Sequence, residues 1–581
     1  MAAMASLHLL ATLLLILGYG RSVIIAHIID EASHQTTHSS NNMIIPNHTY
    51  RPSFHFLPSK NWMNDGLTDP NGPMRYKGMY HLFYQHNPKA AVWNTAIEWG
   101  HSISKDLVNW FPLQPSLTPN QPYDIKGCWS GSITILPNQK PFILYTGIDN
   151  NNHQTQNLAI PKNLSDPLLR EWVKLPNNPL MKPTLGNKIN VTSFRDPTTA
   201  WLGHDGFWRV IVGSQENEKG IAILYKSKDF LHWIKAKHPL NSAKKSGMWE
   251  CPDFYPVSTK GKIGIETSVD GPQVRHVLKV SLYDTSHDYY LIGTYDTTKD
   301  VFVPDDEEGF DKDELYLVQR YDYGKFYASK TFYDDAKKRR VLWGWINESS
   351  VQQDDEKKAW SGIQGIPRTV WLDESGKQLI QWPIAEIEKL RGHHVKLHSK
   401  VLKPGTLLQV SGVTPAQADV EISFQVSKLE NAQELNPSWK LDPQILCSQK
   451  AKGGFGLLVL ASKGMQEYTS VFFMIFRANK KYVVVMCSDQ SRSSLNHKND
   501  LTTYGAFVNV DPAHEELSLR ILIDESVVES FGGKGKACIT SRVYPTLAIN
   551  DKAHLHAFNN GTLHVKITRL SAWSMKKAKV N

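Results

Sequence analysis

Three short stretches of the sequence set carboxylates among aromatic and turn-forming residues: Asn61-Trp-Met-Asn-Asp-Gly-Leu-Thr-Asp-Pro-Asn-Gly72, Ser193-Phe-Arg-Asp-Pro197 and Met248-Trp-Glu-Cys-Pro-Asp-Phe254. An apolar wall raises a carboxyl pKa and a polar or cationic neighbour keeps another ionised, so such groups can divide proton donation and charge stabilisation between them. Glu250, flanked by Trp249, Cys251 and Phe254, has the drier neighbourhood and suits a proton donor. Asp196, beside Arg195, is expected to stay ionised. Asp-Pro-Asn-Gly is also an ordinary turn and Trp-Glu-Cys-Pro an ordinary strand end, so it is the conjunction of the three stretches that points to chemistry.

The elements that must position these carboxyls read as β-structure. Short alternating apolar runs such as Tyr80–Gln85 and Val280–Asp284 recur between Asn, Asp, Gly and Pro, and long amphipathic helices are scarce. An internal echo runs through Ser104-Lys-Asp-Leu-Val-Asn-Trp110, Ser165-Asp-Pro-Leu-Leu-Arg-Glu-Trp172 and Ser227-Lys-Asp-Phe-Leu-His-Trp233, with tryptophans 62 and 61 residues apart. A repeat of about 60 residues holding several strands fits a propeller blade better than a sandwich. Residues 51–390 have room for five blades, ending in a short helix within Gln381–Leu390; a linker is expected at 391–402 and a β-sandwich over 403–581. The fold class is therefore all-β, a five-bladed propeller followed by a sandwich.

The chain has 581 residues, 41% hydrophobic, and its net charge of +9 is interspersed, with only short basic runs at Lys337–Arg340 and Lys576–Lys579. Disordered, collagen-like and nucleic-acid-binding classes are excluded on that basis, while weak retention on an acidic matrix is compatible with it. Leu7–Leu17 is apolar over the length of a signal h-region, too short to span a bilayer, so residues 1–25 read as a signal peptide of a secreted protein. Five sequons, at Asn47, Asn163, Asn190, Asn347 and Asn560, agree with that route. Of the 5 cysteines, Cys447 and Cys487 are the most plausible disulfide pair, with isolated buried thiols as the alternative. Neither metal nor cofactor is expected, and a monomer is.

Together the motifs resemble the plant acid invertase and fructan exohydrolase group, the retaining β-fructofuranosidases of glycoside hydrolase family 32. The resemblance covers residues 51–575 and includes Trp129-Ser-Gly-Ser132, Phe194-Arg-Asp-Pro197, Trp249-Glu-Cys-Pro-Asp-Phe254, Tyr321–Lys330, Trp343-Gly-Trp345 and Gln364-Gly-Ile-Pro-Arg368. It implies a propeller with the active site in its central funnel, a nucleophilic aspartate in the Asn-Asp-Pro-Asn-Gly block, Glu250 as acid/base and Asp196 as transition-state stabiliser. It further implies substrate contacts at Asn64, Gln85, Trp93, Trp129, Ser130 and Arg195. A retaining glycosidase needs its two working carboxyls about 5–5.5 Å apart.

Two departures from the family pattern bear on function. Trp-Met-Asn-Asp-Pro-Asn-Gly is normally continuous, but here four extra residues give two candidate nucleophiles; Asp69, which keeps Pro70-Asn71-Gly72 after it, is favoured over Asp65. A misplaced nucleophile would leave a catalytically impaired, sugar-binding or regulatory protein. The family's invertases carry Asp and Lys at positions where this chain reads Tyr283 and Ser286 in Ser281-Leu-Tyr-Asp-Thr-Ser-His-Asp-Tyr-Tyr290. Replacing a charged pair by an aromatic face resembles fructan exohydrolases, so fructan is expected as substrate, with sucrose, and hence an invertase, as the alternative. Pro252 is typical of the cell-wall members, which implies the apoplast, with the vacuole as alternative.

Overall fold

A computed structural model describes residues 48–580 except 64–69, 95, 313–314, 437, 449–452 and 480. The expected signal peptide, Asn47, Asn64, Asp65 and Asp69 lie outside the described residues. Five antiparallel sheets follow one another along the chain and form the five blades of a propeller, and two larger sheets of six and seven strands form a sandwich behind it. Four of the five blades begin with their inner strand, at Pro70–Tyr76, Gly127–Leu136, Trp249–Ser258 and Phe326–Asp334; the third begins with the short pair Phe194–Arg195. The ring closes where Asn61–Met63 pairs in parallel with Trp360–Ser361 and antiparallel with Met79–Asn87.

The echo in the sequence is a structural repeat. Ser104 Oγ accepts the N–H groups of Asp106 and Leu107 (3.1 and 2.9 Å), and the Trp110 indole donates to Leu107 O (3.2 Å). Ser227, Phe230 and Trp233 repeat those three bonds at 3.3, 2.9 and 3.1 Å. Leu107, Leu169 and Phe230 all adopt left-handed φ, at 63°, 49° and 66°, so the chain turns at the same place in each copy, although in the second it is Asp166 that accepts the N–H groups, of Leu168 and Arg170 (both 3.1 Å). Apolar side chains fill the spaces between blades: Met74, Phe83, Trp99 and Ile133 between the first and second, and Trp201, Trp249, Phe254 and Leu278 between the third and fourth. Burial of such side chains is worth about 1.5–3 kcal/mol each and helps to hold adjacent blades together.

The expected linker is a strand. Arg391–Leu402 is twelve residues long and pairs with His564–Met575, forming the edge of the six-stranded sandwich sheet. An edge strand exposed on one face tolerates its His, Lys and Ser residues. The expected helix at Gln381–Leu390 is a strand, Leu379–Pro383, followed by a 3-10 turn, Ala385–Leu390. Cys447 and Cys487 are joined in a disulfide that ties the short helix Pro443–Ser448 to strand Lys481–Asp489. Cys128, Cys251 and Cys538 are buried thiols. Asn163, Asn190 and Asn560 are exposed and Asn347 is half-buried. Among the described residues no helix is long and apolar enough to cross a membrane.

Propeller and sandwich meet over a fully buried set of charges. His55 of the propeller gives Nδ1 to Asp524 (2.8 Å) and Nε2 to Glu529 (3.0 Å) of the sandwich, and Arg368 contacts Asp322 (3.0 Å) and Glu529 (2.8 Å). Burial opposes the imidazolium, but the two carboxylates outweigh it and raise His55 from 6.5 to about 9. A raised histidine contributes stability that is complete below its unfolded pKa and is lost as pH rises through its folded one. The protein is therefore expected to lose about 3 kcal/mol between pH 6.5 and 9.5, and His55→Gln to flatten that slope. Urea unfolding at a series of pH values checks this; equal slopes in both proteins would show that the cluster is not the source.

Candidate active site

Four of the inner strands carry a β-bulge at the same place. Two residues face one on the neighbouring strand at Gly72-Pro73, Trp129-Ser130, Cys251-Pro252 and Ala328-Ser329. A bulge bends its strand and re-aims the adjacent side chains, so the repetition turns residues of four blades toward a common axis. Gly72, Cys251 and Ala328 take left-handed φ of 58°, 49° and 53°; in the third blade Asp196 itself does so, at 67°. At Gly72 a Cβ would also stand 2.5 Å from Ile133 Cγ1, so only glycine fits.

The expected acid/base and stabiliser, Glu250 and Asp196, are brought together from adjacent blades. Glu250 is 0% exposed; Arg195 donates to its Oε1 from Nε (3.0 Å) and Nη2 (2.8 Å), and the Tyr327 hydroxyl donates to Oε2 (2.7 Å). Burial is the largest influence and lifts Glu250 to about 7, with nearby Asp196 adding to the rise, while Arg195 and Tyr327 oppose it. A carboxyl near 7 is a competent proton donor at mildly acidic pH. Asp196 Oδ2 accepts the Cys251 N–H (2.9 Å), and Oδ1 is buried with no hydrogen-bond partner among the described residues, open to a ligand hydroxyl.

At Asp196 the neighbouring Arg195 is not the dominant influence. Arg195 lies 4.0 Å from Asp196 and spends its short contacts on Glu250, so burial dominates and raises Asp196 despite Arg195, Cys251 and Lys330. The adjacent pair keeps one 4.0 Å contact, while the Arg195 Nε and Nη2 hydrogen bonds go to Glu250.

Gln85 donates to Ser130 Oγ (3.1 Å), and the Trp93 and Trp129 rings stand edge to face at 6.3 Å with neither indole N–H bonded within the described residues. These residues lie together on the first two blades. Asn71, in the inner strand directly after the expected nucleophile, is fully buried. Met63 pairs with His86 and Pro70 with Tyr84 on one strand, so the chain enters and leaves 64–69 at positions either side of Gln85. Tyr283 occupies the tip of the hairpin Leu282–His287, whose strand pairs with Glu250 through Ser281; it is 46% exposed. Asp284 is turned to Gly247, where an added Cβ would meet its Oδ2 at 2.3 Å.

Sequence reasoning missed Tyr327, although its stretch was singled out, because the bulge that aims its hydroxyl is not readable from a strand pattern. It also missed three buried polar supports. Thr146 Oγ1 accepts the Asp196 N–H (2.9 Å), Lys330 donates to Gly131 O (2.8 Å) and Ser132 Oγ (2.6 Å), and Lys279 is buried behind Glu250. A lysine inside an apolar run, as in Val277-Leu-Lys-Val280, is a signal that would have found the last.

Residues 55–383 match the model of the glycosyl hydrolases family 32 N-terminal domain and residues 386–574 that of the family 32 C-terminal domain. The chain belongs to glycosyl hydrolase family 32. As a family 32 protein it is a glycosidase of the β-fructofuranosidase type. It is 63% identical over 540 residues to the β-fructofuranosidase cell wall isozyme of Pisum sativum, covering 90% of this chain and 95% of that one. It is 59% identical over 551 residues to fructan 6-exohydrolase of Beta vulgaris, covering 94% and 89%. The crystal structure of fructan 1-exohydrolase IIa from Cichorium intybus superposes with a TM-score of 0.88 at 52% identity, over 92% of this chain and 99% of that one.

Proposed function

We propose that this family 32 chain releases terminal fructose from fructans by a retaining mechanism. Asp69 attacks the anomeric carbon of the terminal fructosyl unit while Glu250 protonates the departing oxygen; water then attacks the fructosyl-enzyme ester, giving its proton to Glu250 and freeing Asp69. Asp196, through its open Oδ1, holds fructose hydroxyls, and Gln85, Trp93, Trp129, Ser130 and Arg195 complete the pocket together with Asn64.

The choice of fructan rests on Tyr283. It is an exposed residue at a hairpin tip next to the Glu250 strand, and neither it nor Ser286 offers the charges that would hold a glucosyl unit. An aromatic face accepts a fructosyl or a glucosyl neighbour by contact rather than by directional hydrogen bonds, which removes the preference for sucrose. Sucrose is the second reading, supported by the 63% identity to a β-fructofuranosidase named for the cell wall. That name, the leader and Pro252 support secretion to the cell wall.

The test is fructose and glucose release by the purified protein from sucrose, β-2,6 levan oligomers and β-2,1 inulin oligomers in parallel. Fructose from the oligomers with little glucose from sucrose is expected. Faster cleavage of sucrose than of either oligomer would make it an invertase, and silence on all three would favour an impaired homologue.

A further inference from the structure

Lys279 sits mid-strand in Val274–Leu282 with its side chain fully buried, where an ammonium is costly unless its protons are matched. It donates to Cys251 O (3.0 Å), Ser281 Oγ (2.8 Å) and Ser329 O, and lies 3.6 Å from Asp288 Oδ2. Asp288, equally buried, accepts the Ser281 hydroxyl (2.6 Å) and the backbone N–H groups of Ala328 (3.1 Å) and Ser329 (2.8 Å). One ion pair thus gathers the backbone of two bulges, at Cys251 in the fourth blade and Ala328-Ser329 in the fifth.

Those bulges carry the Glu250–Tyr327 contact. Cys251 directly follows Glu250 and Ala328 directly follows Tyr327, and both hold left-handed φ. A left-handed non-glycine residue is strained, and such a conformation persists only when the surroundings impose it. If the bulges relaxed, Glu250 and Tyr327 would turn away from their 2.7 Å contact.

We propose that Lys279 and Asp288 are positioning residues that fix the orientation of Glu250 by pinning the two bulges on either side of its contact with Tyr327. The proposal rests on Glu250 being the acid/base. Ser281, which accepts from one member of the pair and donates to the other, belongs to the same device.

The test uses Lys279→Met, the milder Ser281→Ala, and Tyr327→Phe for comparison. Rates are measured on a fructan oligomer and on β-fructosyl fluoride, whose leaving group needs little protonation. Lys279→Met is expected to lower kcat on the oligomer about 10- to 100-fold and Ser281→Ala about 3- to 10-fold, with KM within about twofold and a smaller loss on the fluoride. Glu250 faces Arg195, Asp196 and Tyr327; losing the tyrosine bond removes an influence that lowers its pKa, so the basic limb of kcat/KM moves to higher pH in all three variants. Equal losses on both substrates with an unmoved limb would reduce the pair to a structural tie and overturn the proposal, as would wild-type kinetics in the variants. If Lys279→Met does not fold, as judged by thermal melting, Ser281→Ala decides alone. Glu250→Ala separates the two readings: oligomer hydrolysis persisting in it overturns the acid/base assignment and the positioning role with it, whereas an inactive Glu250→Ala beside unaffected Lys279 and Ser281 variants overturns only the latter.

Discussion

Asp69→Asn is expected to abolish hydrolysis, a loss of at least about a thousandfold, while Asp65→Asn stays within about tenfold of the wild type. Pro70 and Asn71 are fixed by pairing with Tyr84 and Phe83, and Asn71 is fully buried in the strand that faces the axis. Asp69 is joined directly to that strand. Asp65 stands two residues beyond Met63, whose partner His86 lies on the far side of Gln85. Only two residues separate the corresponding Met and Pro in the family's pattern; here there are six, and removing Asp65–Thr68 restores two, Asn64 and Asp69. That deletion should retain or increase activity if Asp69 is the nucleophile. Initial rates on a fructan oligomer, with trapping of the fructosyl-enzyme ester, check the assignment; an active Asp69→Asn beside an inactive Asp65→Asn would reverse it.

Glu250→Gln is expected to cost about 10²- to 10⁴-fold in kcat, the usual worth of a positioned general acid. In the wild type the donor must be protonated, and burial has lifted Glu250 to about 7. Activity should therefore hold through mildly acidic pH and fall on the alkaline side of about pH 7, tenfold per unit at the limit. The variant has no proton to lose at that position, so its residual rate should lack this limb. Profiles of kcat/KM from pH 5 to 9 measure both effects, and a variant that keeps the wild-type limb would assign the limb to another group. Asp196 is the group to examine next, since burial raises it too.

What could be read from the sequence was what depends on residue type and period. The Ser-to-Trp echo marked the blades because its first and third copies encode a complete local turn, with a serine oxygen accepting two N–H groups and an indole closing it. Glu250 and Asp196 could be found because carboxyls in apolar surroundings stand out at the level of composition. Arg195 could not be assigned its partner, because whether it turns to Asp196 or to Glu250 is decided by a left-handed φ and by the approach of the neighbouring blade. Arg391–Leu402 was misread for a related reason: an edge strand has one neighbour, and its polar residues resemble those of a connecting segment. Tyr327, Lys279 and Asp288 act through bulges, which shift side-chain direction without altering local composition.

The parallel pairing of Asn61–Met63 with Trp360–Ser361 has a consequence for the order of assembly. The strand that leads into the expected nucleophile is made early but has no partner in the last blade until some three hundred residues later, and His55 waits longer still for Asp524 and Glu529. Contacts so distant in sequence are slow to form, and here they cannot form during the first half of synthesis. Blades two to four can each complete a sheet as they emerge, whereas the first remains unfinished until the fifth arrives. The pocket is thereby the last part of the propeller to be completed, and a chain cut short before the sandwich has every carboxyl proposed for the chemistry but lacks the carboxylates that hold His55 in place.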